Sequence, residues 1–265
     1  MGHAHATAAA ALCLLAVLAG CGGVLDDRAT PAPVEVGNAS VPTGITADEV
    51  DASTLAASHD VVLGSTNYTV RVSEVITTNG TVLRNATRNR RVSQGADRYL
   101  FRRTQYASGF PTSSLAPVLT YWYDGTTVVQ RIGTGAGIRV DRFSAGPSGP
   151  LNDPTSHRGI ARIFKSFELQ PNRTLGDGPV RLTTVRLSNP QTAPTPSFVG
   201  SPRNATLTAL VDDRGYIRSY RLAYDADASA VSEPVRVVRR VRFTDLGATT
   251  VERPTWAEAA AQSEP

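Results

Sequence analysis

From Gly64 onward the apolar residues recur at every second position, and this period limits the folds open to the chain more than any other feature. Tyr68, Val70, Val72 and Ile76 alternate with Thr69, Arg71 and Ser73, the pattern of a half-buried strand. Asn79-Gly80 comes next, a dipeptide that accepts the positive φ angles of a type I′ hairpin. The return strand, 82–92, is polar, with Arg84, Arg88, Arg90 and Arg91. Further strands are predicted over 97–106, 119–123, 126–132 and 137–143. Asp124-Gly125 is expected to form a second type I′ hairpin. After a helical interval, strands follow over 180–187, 205–211, 216–224 and 235–244, with Asp213-Arg214-Gly215 as a turn. In the last strand Val235, Val237, Val241 and Phe243 share one face, interrupted by Arg239. Arg236, Val238, Arg240 and Arg242 take the other.

Two segments carry a helical period instead. Residues 45–63 place Leu55, His59 and Val62 along one side, with Gly64 as the C-cap. Residues 153–169 begin with Asp153 as N-cap and Pro154 at the first helical position, where a missing N–H matters least. Their apolar stripe is Ile160, Ile163, Phe164 and Phe167. Strands joined by tight turns, not alternating with helices, argue against a βαβ fold. The predicted class is α+β, mainly β. Eight to ten antiparallel strands form one large curved, half-barrel-like sheet, with two or more helices on its concave face.

The beginning of the chain is different. An uncharged apolar run from Ala6 to Gly20 has the length of a signal-peptide core and is short for a membrane span. It ends in Leu18-Ala19-Gly20-Cys21, which resembles the bacterial and archaeal lipobox. That resemblance implies cleavage between Gly20 and Cys21 and a lipid on the Cys21 sulfur, anchoring the protein to the cell membrane, facing outside. Residues 1–20 are then a signal peptide, 21–45 a Gly- and Pro-rich tether, 46–252 one β-rich domain and 253–265 a tail. The only other cysteine, Cys13, leaves with the leader, so no disulfide or thiol chemistry is expected.

Among 27 basic residues Lys165 is the one lysine, and the arginines are spread over many segments. A nucleic-acid binder concentrates its positive charge, so nucleic acid is not an expected partner. G-x-S-x-G, H-E-x-x-H, P-loop and C-x-x-C motifs are missing. Gly133 to Gly137 lacks dinucleotide-binding spacing and is expected to be a loop. Asp225-x-Asp227-x-Ser229 lacks the Gly and Glu of a calcium loop and is expected to be a turn. No enzyme activity, cofactor or metal is expected. Acceptor sequons for N-glycosylation begin at Asn38, Asn67, Asn79, Asn85, Asn172 and Asn204.

The features at 18–23, the tether, Leu55-Ala56-Ala57-Ser58-His59, Ser65 to Val70, Arg98-Tyr99, Tyr123-Asp124-Gly125 and Pro254-x-Trp256 resemble a family of haloarchaeal lipoproteins. More distantly, the order of elements is similar to lipoprotein carriers and LppX/LprG-like lipoproteins. This resemblance implies helices plugging the concave side of a long sheet around a lipid-binding cavity. Tyr68, Val70, Tyr99, Phe101, Tyr121, Tyr123, Tyr220 and Tyr224 are the candidate lining. The expected role is a non-enzymatic binding module for a lipid or other apolar ligand. The alternative is a structural or interaction protein of the cell envelope that works through an arginine-rich sheet face.

Overall fold

The computed structural model describes residues 41–108, 116–146, 151–172, 178–190, 196, 198–229 and 231–262. Gly20, Cys21 and Asn38 lie outside the described residues. Helix α1 (Ala52–Gly64) starts at Asp51, whose carboxylate accepts from the Ser53 and Thr54 amides at 2.9 and 3.1 Å. Such a cap satisfies two of the four N–H groups left open at a helix start. Residues 45–50 are not helical as predicted. They close a small turn bridged by Ile45 and Val50, and Ile45 is buried. Gly64 is the last helical residue, and Ser65 in a right-handed conformation is the C-cap.

Eleven antiparallel strands follow: β1 (Tyr68–Thr78), β2 (Thr81–Val92), β3 (Tyr99–Ala107), β4 (Val118–Tyr123), β5 (Thr127–Thr134), β6 (Gly137–Ser144), β7 (Phe167–Asn172), β8 (Val180–Leu187), β9 (Arg203–Val211), β10 (Ile217–Ala228) and β11 (Val231–Thr244). They form one open sheet in the order β6-β5-β4-β3-β2-β1-β11-β10-β9-β8-β7. The predicted sheet is therefore present, with strand β7 added. Every consecutive pair of strands is adjacent except β6 and β7. β1 meets β11 in the middle of the sheet, and β6 and β7 occupy opposite edges. The connection from β6 to β7 has to span the sheet, and helix α2 (His157–Lys165) is part of it.

Helix α2 is shorter than predicted. It ends at Ser166, and Phe167 and Leu169 are buried residues of β7. Phe167 fits the helical stripe of Ile160, Ile163 and Phe164 and equally fits a strand alternating with Leu169, so the period alone does not separate the two. Asp153 caps from a distance, its Oδ2 accepting from Arg158 N at 3.1 Å, while Ser156 (φ 68°) makes the entry turn. Asn79 (φ 45°) and Gly80 (φ 78°) form the expected two-residue hairpin. The second hairpin has three loop residues, Asp124-Gly125-Thr126, because the Asp124 carboxylate accepts from Thr126 N and Thr127 N at 3.2 and 2.8 Å. Asp225 and Asp227 are strand residues, not the expected turn.

Helices α1 and α2 pack on one face of the sheet. The His59 ring meets Phe243 edge-on at 4.6 Å, and Phe164 meets Tyr220 at 6.0 Å. A third helix, α3 (Thr255–Gln262), lies on the other face, where buried Ala257 joins Trp122 and Val129 in a small second core.

Candidate functional site

The site is built by the register of six neighbouring strands, β4-β3-β2-β1-β11-β10. Cross-strand partners lie on the same face of a sheet. Val70 pairs with Arg90 and Phe243, Val72 with Arg88 and Val241, and Glu74 with Arg239. Arg88 in turn pairs with Arg103, and Arg90 with Phe101, which pairs with Tyr121. Val241 pairs with Tyr220 and Val237 with Tyr224. The same register sets Arg84 opposite Ile76, just before a β-bulge between Ile76 and Thr77, and Arg84 is buried. The helix-covered, concave face thus carries Arg84, Arg88, Arg90, Arg103 and Arg239 among its aromatic and aliphatic side chains.

This corrects the expectation of a single arginine-rich sheet face, because the arginines divide between the two faces. Arg91, Arg236, Arg240 and Arg242 do face outward, since they sit at the alternate positions of β2 and β11. Arg84, Arg88, Arg90 and Arg239 face inward.

On the helix-covered face, between the sheet and the segment that leads into α2, there is a cavity of about 320 Å³. Its apolar wall is Val72, Phe101, Tyr121, Leu151, Tyr220 and Val241, and its polar wall is Arg88, Arg90, Ser156 and Arg239. Phe101 and Tyr121 stack at 4.5 Å along one side. Of the eight residues predicted to line a cavity, Phe101, Tyr121 and Tyr220 do so. Tyr68, Val70, Tyr99, Tyr123 and Tyr224 are buried on the same face, in the core around it. The Tyr99 hydroxyl accepts from Leu151 N at 3.2 Å, and the Tyr123 hydroxyl donates to Gly125 O at 2.7 Å, which ties the loops to the sheet. The Tyr68 hydroxyl is buried with no hydrogen-bond partner.

The electrostatics of this face are lopsided. Arg84 Nη1 donates to Glu74 Oε1 at 2.6 Å, with both side chains buried. Arg90 Nη2 donates to Ser156 Oγ at 2.7 Å, a neutral acceptor. Among the described residues, Arg88 and Arg103 make no ion pair, and the Nε atoms of Arg103 and Arg239 are buried without an acceptor. Burial pushes the Arg88, Arg90 and Arg103 guanidiniums down from the usual arginine value. It pushes the Tyr121 hydroxyl up to about 12. Arginine keeps its proton in proteins nonetheless, so the positive charge stays.

His59 ties α1 to the sheet and to the segment before α2. Its Nδ1 accepts from Ile217 N at 3.1 Å, so the proton is on Nε2, which donates to Thr155 O at 3.0 Å. Burial lowers the His59 pKa to about 4. His157 Nδ1 lies 3.2 Å from Asp60 Oδ1 and 3.0 Å from Asp153 Oδ1, joining the start of α2 to α1.

The opposite face holds an open groove of about 520 Å³, with Arg71, Arg102, Arg240 and Arg242 beside Ser73, Thr87, Asn89 and Thr104. Of the described sequon asparagines, Asn79, Asn85, Asn172 and Asn204 are exposed, and Asn67 is half-buried. Asn67 Nδ2 donates to Thr249 O at 2.7 Å, and Asn204 Nδ2 donates to Asp225 Oδ2 at 3.1 Å. Among the described residues no group of three or more His, Cys, Asp or Glu is placed to hold a metal ion. No described helix is long and apolar enough to cross a membrane.

No protein-family model and no curated protein sequence matches the chain. Solved structures similar to it include a LolA-superfamily protein from Nitrosomonas europaea, with TM-score 0.26 and 9% identity, covering 78% of this chain and 96% of that one. A DUF1329 family protein from Desulfovibrio piger has TM-score 0.31 and 11% identity, covering 79% and 97%. The ywiB protein from Bacillus subtilis has TM-score 0.17 and 12% identity, covering 67% and 91%. Likeness at this level says nothing about what this chain binds.

Proposed function

We propose that this protein is a non-enzymatic binding module that holds a lipid or other amphipathic molecule on the helix-covered face of its sheet. The observation that carries this reading is the cavity of about 320 Å³ walled by Val72, Phe101, Tyr121, Leu151, Tyr220 and Val241. A ligand pocket has this kind of wall: mostly apolar, at the lower end of the usual 300–1,000 Å³ range, with a few polar groups that fix orientation. Cleavage before Cys21 and lipidation of its sulfur would tether the module to the outer side of the cell membrane, where such molecules are found. Exposed Asn79, Asn85, Asn172 and Asn204 are the described sequon sites open to modification. The outward groove of Arg71, Arg102, Arg240 and Arg242 favours a second use of the same fold, contact with an acidic envelope partner.

The test is methyl NMR of the full chain during titration with 1-decanol. The methyls of Val72, Val241 and Leu151 are expected to shift together and saturate. Shifts confined to the exposed apolar residues Ile138 and Val140 on β6 would mean surface adsorption and would overturn the reading.

A further inference from the structure

The cavity wall holds more positive charge than the fold can neutralise. Five arginines share the concave face with one carboxylate, Glu74, and Arg84 takes that carboxylate at 2.6 Å. Arg88 and Arg239 line the cavity itself, and Arg90 reaches it beside Ser156. Arg88 is set directly opposite Arg103 in the sheet, a pairing of like charges that opposes strand association. The Nε of Arg239 is a buried donor with no acceptor. Asp153, on the approach to α2, is the carboxylate nearest Arg90. Its Oδ2 accepts from the Arg158 amide at 3.1 Å and its Oδ1 lies 3.0 Å from His157 Nδ1, so it serves the start of α2 and makes no ion pair with Arg88, Arg90 or Arg239. Guanidiniums drawn out of water without a counter-charge destabilise a fold. A bound anion would remove that penalty, and planar guanidinium donors suit the oxygens of a carboxylate or phosphate.

We propose that Arg88, Arg90 and Arg239 form an anion subsite that holds the phosphate or carboxylate head of the bound molecule, with its chain lying along the stacked pair Phe101 and Tyr121. This rests on the binding role proposed above and adds the ligand's charge and orientation to it. The apolar wall and the arginines belong to one cavity, so a single amphiphile can satisfy both.

The experiment is calorimetric titration of the full chain with decyl phosphate, 1-decanol and inorganic phosphate, for the natural protein and for the double variant R88Q/R239Q. Decyl phosphate is expected to bind at least tenfold tighter than 1-decanol. The double variant is expected to lose at least tenfold for decyl phosphate and to stay within twofold for 1-decanol. Equal binding of decyl phosphate and 1-decanol, unaffected by the double variant, would overturn the anion subsite while leaving the apolar binding role intact. Binding of inorganic phosphate as tight as decyl phosphate, lost in the double variant, would keep the anion site, assign it to a free anion and overturn its role as a head-group subsite. Binding of none of the three would overturn both. The ligand-free double variant is also expected to melt at a higher temperature than the natural protein, because two uncompensated charges are gone. A lower melting temperature would show that the fold itself uses these arginines and would count against the proposal.

Discussion

His59 shows how much one side chain can fix. It is fully buried, and both ring nitrogens are taken by backbone groups, Ile217 N–H on one side and Thr155 C=O on the other. That arrangement needs the neutral ring, since a protonated one would turn a donor toward the Ile217 amide. Burial holds its pKa at about 4, below the ordinary 6.5. A lowered histidine pKa means that the unfolded chain takes up the proton first as pH falls. The stabilisation is therefore complete above about pH 6.5 and is lost progressively down to about pH 4, by roughly 3 kcal/mol in all. Thermal melts between pH 7 and 4 are expected to show this fall, and the H59Q variant is expected to flatten it. A slope unchanged in H59Q would assign the effect elsewhere. Asp212 is the acidic counterpart. Burial works to raise its pKa, but hydrogen bonds from Arg214 and Arg218 prevail and hold the carboxyl well below the usual range. This braces the turn into β10.

At the scale of elements, the β9–β10 turn and α1 are fitted to each other. Gly215 has φ +86°, and a Cβ there would stand 2.2 Å from Ser58 Oγ. G215A is expected to cost about 1–3 kcal/mol through backbone strain and the collision together. Adding S58A is expected to restore part of that and leave about 1 kcal/mol of strain. Denaturant unfolding of the two single variants and the double variant would measure it, and strictly additive effects would contradict the contact. Most elements were legible in the sequence because period two and the Asn79-Gly80 pair are local signals. β7 was not, since Phe167 satisfies the stripe of α2 and the alternation of a strand alike. The inward face of β2 was hidden for a different reason. Alternation tells which residues share a face, but not whether Arg84, Arg88 and Arg90 or Arg91 look inward. Pairing with Val70 and Val72 decides that, and pairing is not local. Arg239, lodged among Val235, Val237, Val241 and Phe243, was the one visible sign that charge enters the concave face.

For the molecule as a whole, the topology explains where the cavity is. β1 and β11 pair at the centre, and the connection between the two edge strands carries α2 over the same face that α1 covers. The aromatic residues foreseen in the sequence do lie on this face. Most of them build the core around the cavity, and three reach its wall. The central claim is that this space holds an anionic amphiphile. The most direct measurement is native mass spectrometry of the full chain purified in mild detergent from the cells that make it. One tightly held ligand per chain is expected, with a phosphate or carboxylate head, released by R88Q/R239Q. A chain with no adduct, or one carrying an uncharged ligand indifferent to that double variant, would contradict the claim.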